Sequence, residues 1–328
     1  MKKKYDIVSI GDCTIDAFLK VEEATVLNQK NGHKLLAFSF GDKIPYEELY
    51  LLPAGNCNNV AVGMARLGLK AAFYGSVGHD HNSHVILNNL HKEKVSTEFM
   101  SVQKGIQTNF HVVLWHGGER TILIKHQPYK YKLPKGIENT NWVYLSSIGP
   151  RGLTVQPPLV KMLKTHPEIK LAFNPGTFQL RLGRKKLMSL FKLTEIIFVN
   201  KEEAELLAGH DGNVLKMAQT IHRFGPNIVV ITDGLKGSYA LAEGKFYKCG
   251  VYPHIPYEST GAGDAFATGF TAAIMHGLPI MEAMRWGARN GASVATKVGP
   301  QAGLVHQNSM VRDLNAHKNF KAKLISSM

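Results

Sequence analysis

Ser259-Thr260-Gly261-Ala262-Gly263-Asp264-Ala265 joins a glycine-rich turn to an acid and to a helix of small, apolar residues. Such a turn aims several backbone N–H groups at one point, and the helix dipole adds positive potential there. The chemistry this suits is binding of a phosphate or another anion. A carboxylate at the mouth of an anion site repels its ligand, so Asp264 makes sense as a base that takes a proton from whatever attacks the phosphate. Asp264 also reads as a plain helix N-cap, since Asp is favoured there.

Three further clusters carry polar groups at strand or helix ends. Ala54-Gly55-Asn56-Cys57-Asn58-Asn59 places three amides where a loop enters a helix, which suits a polyhydroxyl ligand better than a charged one. The same asparagines also read as a cap and turn formers, although Asn59 falls inside the first helical turn. Asn200-Lys201-Glu202-Glu203 sets an amide and an acid three residues apart on one helix face. That pair can orient a hydrated Mg²⁺, or form a capping box. Thr232-Asp233-Gly234-Leu235-Lys236-Gly237 is a β-turn or a loop that lets phosphates approach the backbone closely. No GxxxxGK[ST] run exists, and no GxGxxG follows the first strand, which argues against a P-loop and a dinucleotide fold.

The elements that must hold these groups follow from hydrophobic pattern. Residues 5–11 read as a buried first strand, 14–40 as half-buried strands, and 56–67 as a helix stopped by Gly68. Residues 108–114 and 120–124 read as a hairpin turning at 116–119. Beyond residue 140, apolar strands (142–146, 169–173, 195–199, 228–232) alternate with helices (155–165, 184–190, 202–208, 214–224). That alternation predicts parallel βαβ units with helices on both faces. The amphipathic N-terminal and 108–124 strands do not fit this core. They are expected to project from it as a lid over the carboxyl ends of the strands, where ligands sit in such sheets.

The chain has 328 residues, 44% hydrophobic and 20% charged, with no apolar run long enough to span a bilayer. No signal peptide is read after Met1-Lys2-Lys3-Lys4. Cys13, Cys57 and Cys249 are dispersed, which argues against a disulfide framework and predicts a cytoplasmic protein. The net charge of +14 comes from scattered residues, densest at residues 2–4, 184–186 and 318–323, without interleaved aromatics. Neither a nucleic-acid nor a membrane partner is expected.

In order along the chain, Gly11 to Asp16, AGNxxN, Asn-x-x-Glu, Thr-x-Gly-x-x-Gly and Thr-Gly-Ala-Gly-Asp resemble the PfkB/ribokinase family of carbohydrate and nucleoside kinases. The resemblance runs from Ile7 to about Gly303. It implies an α/β protein with a ribokinase-like three-layer α/β/α core, a mostly parallel central sheet and a small projecting β-sheet lid. A single kinase domain over 1–328 follows, its lid built from about 14–52 and 105–127. By this resemblance Asp264 is the catalytic base, and Gly261, Ala262 and Gly263 form the anion hole. Asp16, Gly55, Asn56 and Asn59 hold the sugar or nucleoside. Asn200 and Glu203 position Mg²⁺ through water, and Thr232, Gly234 and Gly237 form the ATP-phosphate loop. Asn290, on a helix over 286–296, lies beside the adenine, and the lid pairs two subunits into a homodimer.

Glu258-Ser259 replaces the family's usual Asp-Thr. The acidic position implies that Glu258 contributes to a monovalent-cation (K⁺) site, with its oxygen displaced by one methylene. Phe173-Asn174-Pro175-Gly176 stands where many members have Asp-Pro-Asn. Among acceptors, a hexose or pentose fits the asparagines. A nucleoside would need an aromatic slot from Phe38, Phe40, Phe110 or Trp115, and a sugar phosphate would need Arg120 or Lys125. A non-catalytic sugar or nucleotide sensor is the reading from another class, and the intact Asp264 and its glycines weigh against it.

Overall fold

The computed structural model describes residues 3–29, 32–209 and 212–327; Lys2 of the N-terminal basic cluster lies outside them. A nine-stranded sheet organises the chain. Its parallel part runs Ala71–Tyr74, Tyr5–Ile10, Thr140–Leu145, Lys170–Phe173, Thr194–Asn200 and Ile228–Thr232. Ser238–Ala242, Lys245–Cys249 and Lys323–Ser327 continue it antiparallel to the edge.

Strand residues alternate between two cores, as period-2 side-chain geometry requires. Ile196 and Phe198 pack on one face, with helices Asn56–Arg66, His81–Lys92, Ala262–Met275, Ile280–Val294 and Gln307–Ala316. Ile197 and Val199 pack on the other, with helices Gln156–Thr165, Arg184–Phe191, Lys201–Ala208 and Val214–His222. The expected three-layer α/β/α architecture is the observed one.

A separate four-stranded sheet forms the lid, ordered Glu119–Leu123, Phe110–His116, Thr14–Lys20, Glu48–Ala54. Its hairpin is tighter than the expected 116–119 turn. Glu119 pairs with His116, leaving Gly117 (φ 57°) and Gly118 (φ 83°) as the loop. Two consecutive positive φ angles make the twist-matched I′ type, which only glycine enters freely. Thr14–Lys20 lies parallel to Phe110–His116, and that register sets Asp16 beside His111. Not every strand of the 14–52 segment joins this sheet: Thr25–Asn28 and Lys34–Ala37 make an isolated hairpin.

Candidate active site

The lid closes over the carboxyl ends of the parallel strands, and two cavities lie beneath it. The first, about 350 Å³, is lined by Asp16, Gly55, Asn56 and Asn59, by Asn200 and Glu203, and by Gly261, Gly263 and Asp264. The second, about 490 Å³, is lined by Gly234, Gly237, Val251, Pro256, Ala288, Gly291 and Ala292, with Gly118 and Glu119 of the lid turn above it. Thr232, Ser259, Gly263 and Phe266 belong to both walls. The cavities therefore meet at the glycine turn.

That turn is built by backbone geometry. Gly261 is the N-cap of Ala262–Met275 in the left-handed conformation (φ 81°). The Ala262 N–H is used within the turn, donating to Ser259 O at 3.1 Å. The next two N–H groups, of Gly263 and Asp264, precede the first intrahelical bonds and are the groups left for an anion. Asp264 is thus not the cap. It stands in the first turn and is 8% exposed. Burial pushes its carboxyl up to about 6, against the opposing pull of Asn59 and Arg120.

Asn59 Nδ2 donates to Asp264 Oδ2 at 2.9 Å. Gln301 Nε2 donates to Asn59 Oδ1 at 3.1 Å, and Asn89 Nδ2 donates to Gln301 Oε1 at 2.8 Å. Asp16 is also buried, and its Oδ1 accepts no hydrogen bond. His111 Nδ1 stands 3.4 Å from it. A second imidazole, His126, lines the same cavity with Nδ1 held 3.0 Å from Asp12 Oδ2. Asp12 is anchored in turn by Gly149 N–H and by the Tyr131 hydroxyl. Arg120 reaches from the lid, its Nη1 donating to Ser259 Oγ at 2.7 Å.

Asn200 and Glu203 form the capping box that their motif allowed. Asn200 Oδ1 accepts from Glu203 N at 2.8 Å, and Glu203 Oε2 accepts from Asn200 N at 2.9 Å, a full capping box. Both residues still line the cavity, and burial raises the Glu203 carboxyl above its usual range. A hard cation that keeps most of its waters fits one such carboxylate. Among the described residues no cluster of three His, Cys, Asp or Glu side chains forms a protein-only metal cage. Glu258 is 3% exposed, with Oε1 accepting from Thr260 N (2.7 Å) and Thr260 Oγ1 (2.5 Å) and Oε2 from Gly299 N (3.4 Å). It ties the segment leading into the glycine turn to the loop that precedes Pro300.

A match to the model of the pfkB carbohydrate kinases covers residues 4–307. The chain belongs to the pfkB family of carbohydrate kinases. It is 28% identical over 297 residues to a fructokinase of Klebsiella pneumoniae, covering 83% of this chain and 96% of that one. Arabidopsis thaliana ribokinase complexed with ribose and ATP superposes with a TM-score of 0.77 at 20% identity, over 95% of this chain and 98% of that one. An Escherichia coli putative ribokinase II in complex with ATP and Mg²⁺ gives 0.79 at 18% identity, over 95% and 99%. As a pfkB kinase, the chain is a phosphotransferase acting on a sugar hydroxyl. Among the described residues no helix is long and apolar enough to cross a membrane.

Two residues expected to face ligands in this pfkB kinase line neither cavity. Asn290 is fully buried, with Nδ2 donating to Ala265 O at 2.7 Å and Oδ1 accepting from Val305 N at 3.0 Å. Helical spacing turns Ala288, Gly291 and Ala292 to the second cavity and Asn290 behind it. Asn58 is likewise fully buried and donates to Ala54 O at 3.1 Å. None of the four aromatic residues expected to supply a nucleoside slot lines the first cavity. Phe38, Phe40 and Phe110 are exposed, and Trp115 packs edge-on to Tyr257 with ring centroids 5.0 Å apart. Sequence reasoning missed Asp12, His111, His126 and Gln301. The only local hint was Asp12 directly after the first strand.

Proposed function

We propose that this pfkB kinase transfers the γ-phosphoryl group of ATP to a hydroxyl of a neutral sugar, a hexose or pentose, with Asp264 as general base. The observation that carries this reading is the meeting of the two cavities at the glycine turn, with Asp264 on the acceptor side of the junction. The second cavity, walled by Val251, Pro256, Ala288 and Ala292, suits a flat heteroaromatic base, with the 234–237 loop beneath the phosphates. Asp16 lines the first cavity and its buried Oδ1 has no hydrogen-bond donor, a carboxylate that suits a sugar hydroxyl. Asn56 and the backbone of Gly55 complete that polar wall.

As the acceptor oxygen bonds to the γ-phosphorus, its proton passes to Asp264 and the bond to the bridging oxygen of ADP breaks. The Gly263 and Asp264 N–H groups face the charge that develops on the transferring group. Asn200 and Glu203 would hold Mg²⁺ through water, and the ion would supply charge neutralisation at the phosphates. Burial of Glu258 without a cationic partner among the described residues supports a monovalent-cation site close to the turn. Arg120, at the junction, favours a second reading in which the acceptor is a sugar phosphate. Lys125 does not line the cavity.

A panel of hexoses, pentoses, sugar phosphates and nucleosides with ATP and Mg²⁺, run in K⁺ and in Na⁺, tests the reading. ADP release is expected with a neutral sugar and is expected to be faster in K⁺. Turnover confined to nucleosides or sugar phosphates would overturn the acceptor class, and ligand binding with no ADP release from any compound would favour a sensor. We also infer a homodimer through the lid. Its outer surface exposes Leu49 (46%), Leu51 (56%) and Leu123 (56%), more apolar area than a lone lid should show. Sedimentation at micromolar concentration is expected to give twice the chain mass, and Leu51→Lys to give the monomer.

A further inference from the structure

We propose that Gln301, supported by Asn89, is a positioning residue that fixes the amide orientation of Asn59 and so holds Asp264 in its proton-accepting form. The inference rests on the reading of Asp264 as general base. An ionised carboxylate can only accept hydrogen bonds. The Asn59 amide must therefore present its NH₂ to Asp264, which turns its oxygen toward Gln301. Gln301 must then present its own NH₂, which turns its oxygen toward Asn89. The three bonds observed, at 2.9, 3.1 and 2.8 Å, run in this one direction. The polarity is imposed by the carboxylate and continued at the far end by Asn89, on the His81–Lys92 helix.

Without Gln301, only the charge on Asp264 itself sets which end of the Asn59 amide faces the acid, and nothing holds that orientation once the acid is protonated. A flipped Asn59 would point its oxygen at Asp264, and only a protonated carboxyl could then donate to it. Asn59 is 4% exposed and Gln301 9%, so water has little room to replace the lost partner. The loop carrying Gln301 is pinned from below. Arg66 Nη1 donates to Gln301 O at 2.8 Å and to Leu304 O at 3.0 Å, while its Nη2 pairs with Glu93 at 2.7 Å. Three elements thus line up behind one oxygen of Asp264: the Asn56–Arg66 helix, the 300–304 loop and the His81–Lys92 helix.

The charged and titratable groups that face Asp264 are Asp16 and Arg120 of the lid, Glu203 of the Lys201–Ala208 helix, and the buried Cys57 and Tyr144. Burial raises Cys57 and Tyr144 well above their usual ranges, so both stay neutral through the working range. Near Gln301 stand the Arg66–Glu93 pair and His306. None of these groups changes when Gln301 loses its amide, so a shift in the acid limb reports on the relay.

The test is the pH profile of kcat/KM for the purified full chain and for Gln301→Met, which keeps the length of the side chain without its polarity. The acid limb is expected to move up by about one pH unit, a loss of about tenfold at low pH, with the alkaline plateau and KM for ATP near those of the parent. An unmoved limb, with activity lowered equally at every pH or with only thermal stability changed, would overturn the proposal. Asn89→Leu, which removes the outer bond alone, is expected to move the limb the same way by less, and it decides the matter should Gln301→Met not fold. Asp264→Asn is run alongside. If it retained parental kcat, the base itself would be misassigned and the relay would fall with it. If it lost activity while both relay variants kept the parental limb, only the relay would fall.

Discussion

Asp264→Asn is expected to lower kcat by ~10²–10⁴-fold, the usual range for loss of a general base, while ATP binding stays measurable. The asparagine fills the same volume in the first turn of the Ala262–Met275 helix, so the glycine turn keeps its shape. It cannot accept the acceptor's proton. The separation of the two cavities supports the split between chemistry and binding, because the second cavity is lined by Gly263 and Ala262 but not by Asp264. Steady-state kinetics with the best acceptor of the panel, together with calorimetric titration of ATP, reads both halves.

The same assignment fixes a pH dependence. Burial raises the Asp264 carboxyl to about 6. Proton acceptance needs the carboxylate, so kcat/KM is expected to be flat above that pH. It should fall about tenfold for each unit below it. The parent's acid limb should vanish in Asp264→Asn, whose residual rate has no such group to protonate. A limb that survives the substitution at about 6 would assign the titration to another residue.

Gly261→Ala carries the second large effect. Its φ of 81° costs a residue with a Cβ roughly 1–2 kcal/mol by chirality alone. A Cβ there would also stand 2.4 Å from Pro300 Cβ and 2.8 Å from Pro300 Cα. Backbone must move to relieve that contact, and the backbone that moves carries the N–H groups of the turn. Loss of one such donor costs ~10²–10³-fold in kcat, and that is the expected fall. Gly277→Ala is the matched control, since Gly277 has a similar φ of 77° but nothing within 4 Å of an added Cβ. It should lower the melting temperature slightly and leave kcat unchanged. Equal losses in the two variants would mean that global destabilisation, not the turn, sets the rate.

The sequence by itself determined what depends on chain neighbours. The glycine turn with Asp264, the Asn200–Glu203 capping box, the Gly117–Gly118 loop and the strand–helix alternation after residue 140 each follow from backbone sterics and hydrophobic period within a dozen residues. The order of the motifs then carried the family. Tertiary structure alone decided which side chains meet. Asn59 and Asp264 are 205 residues apart, Gln301 and Asn59 are 242 apart, and His126 and Asp12 are 114 apart. His111 stands beside Asp16 only because a parallel register in the lid aligns their strands. Asn290 and Asn58 went the other way: both have the right residue type near the site, but Asn290 spends both ends of its amide on the backbone of Ala265 and Val305, and Asn58 donates its NH₂ to Ala54 O. A polar side chain states which bonds it can form, while packing decides whether a ligand or the protein receives them.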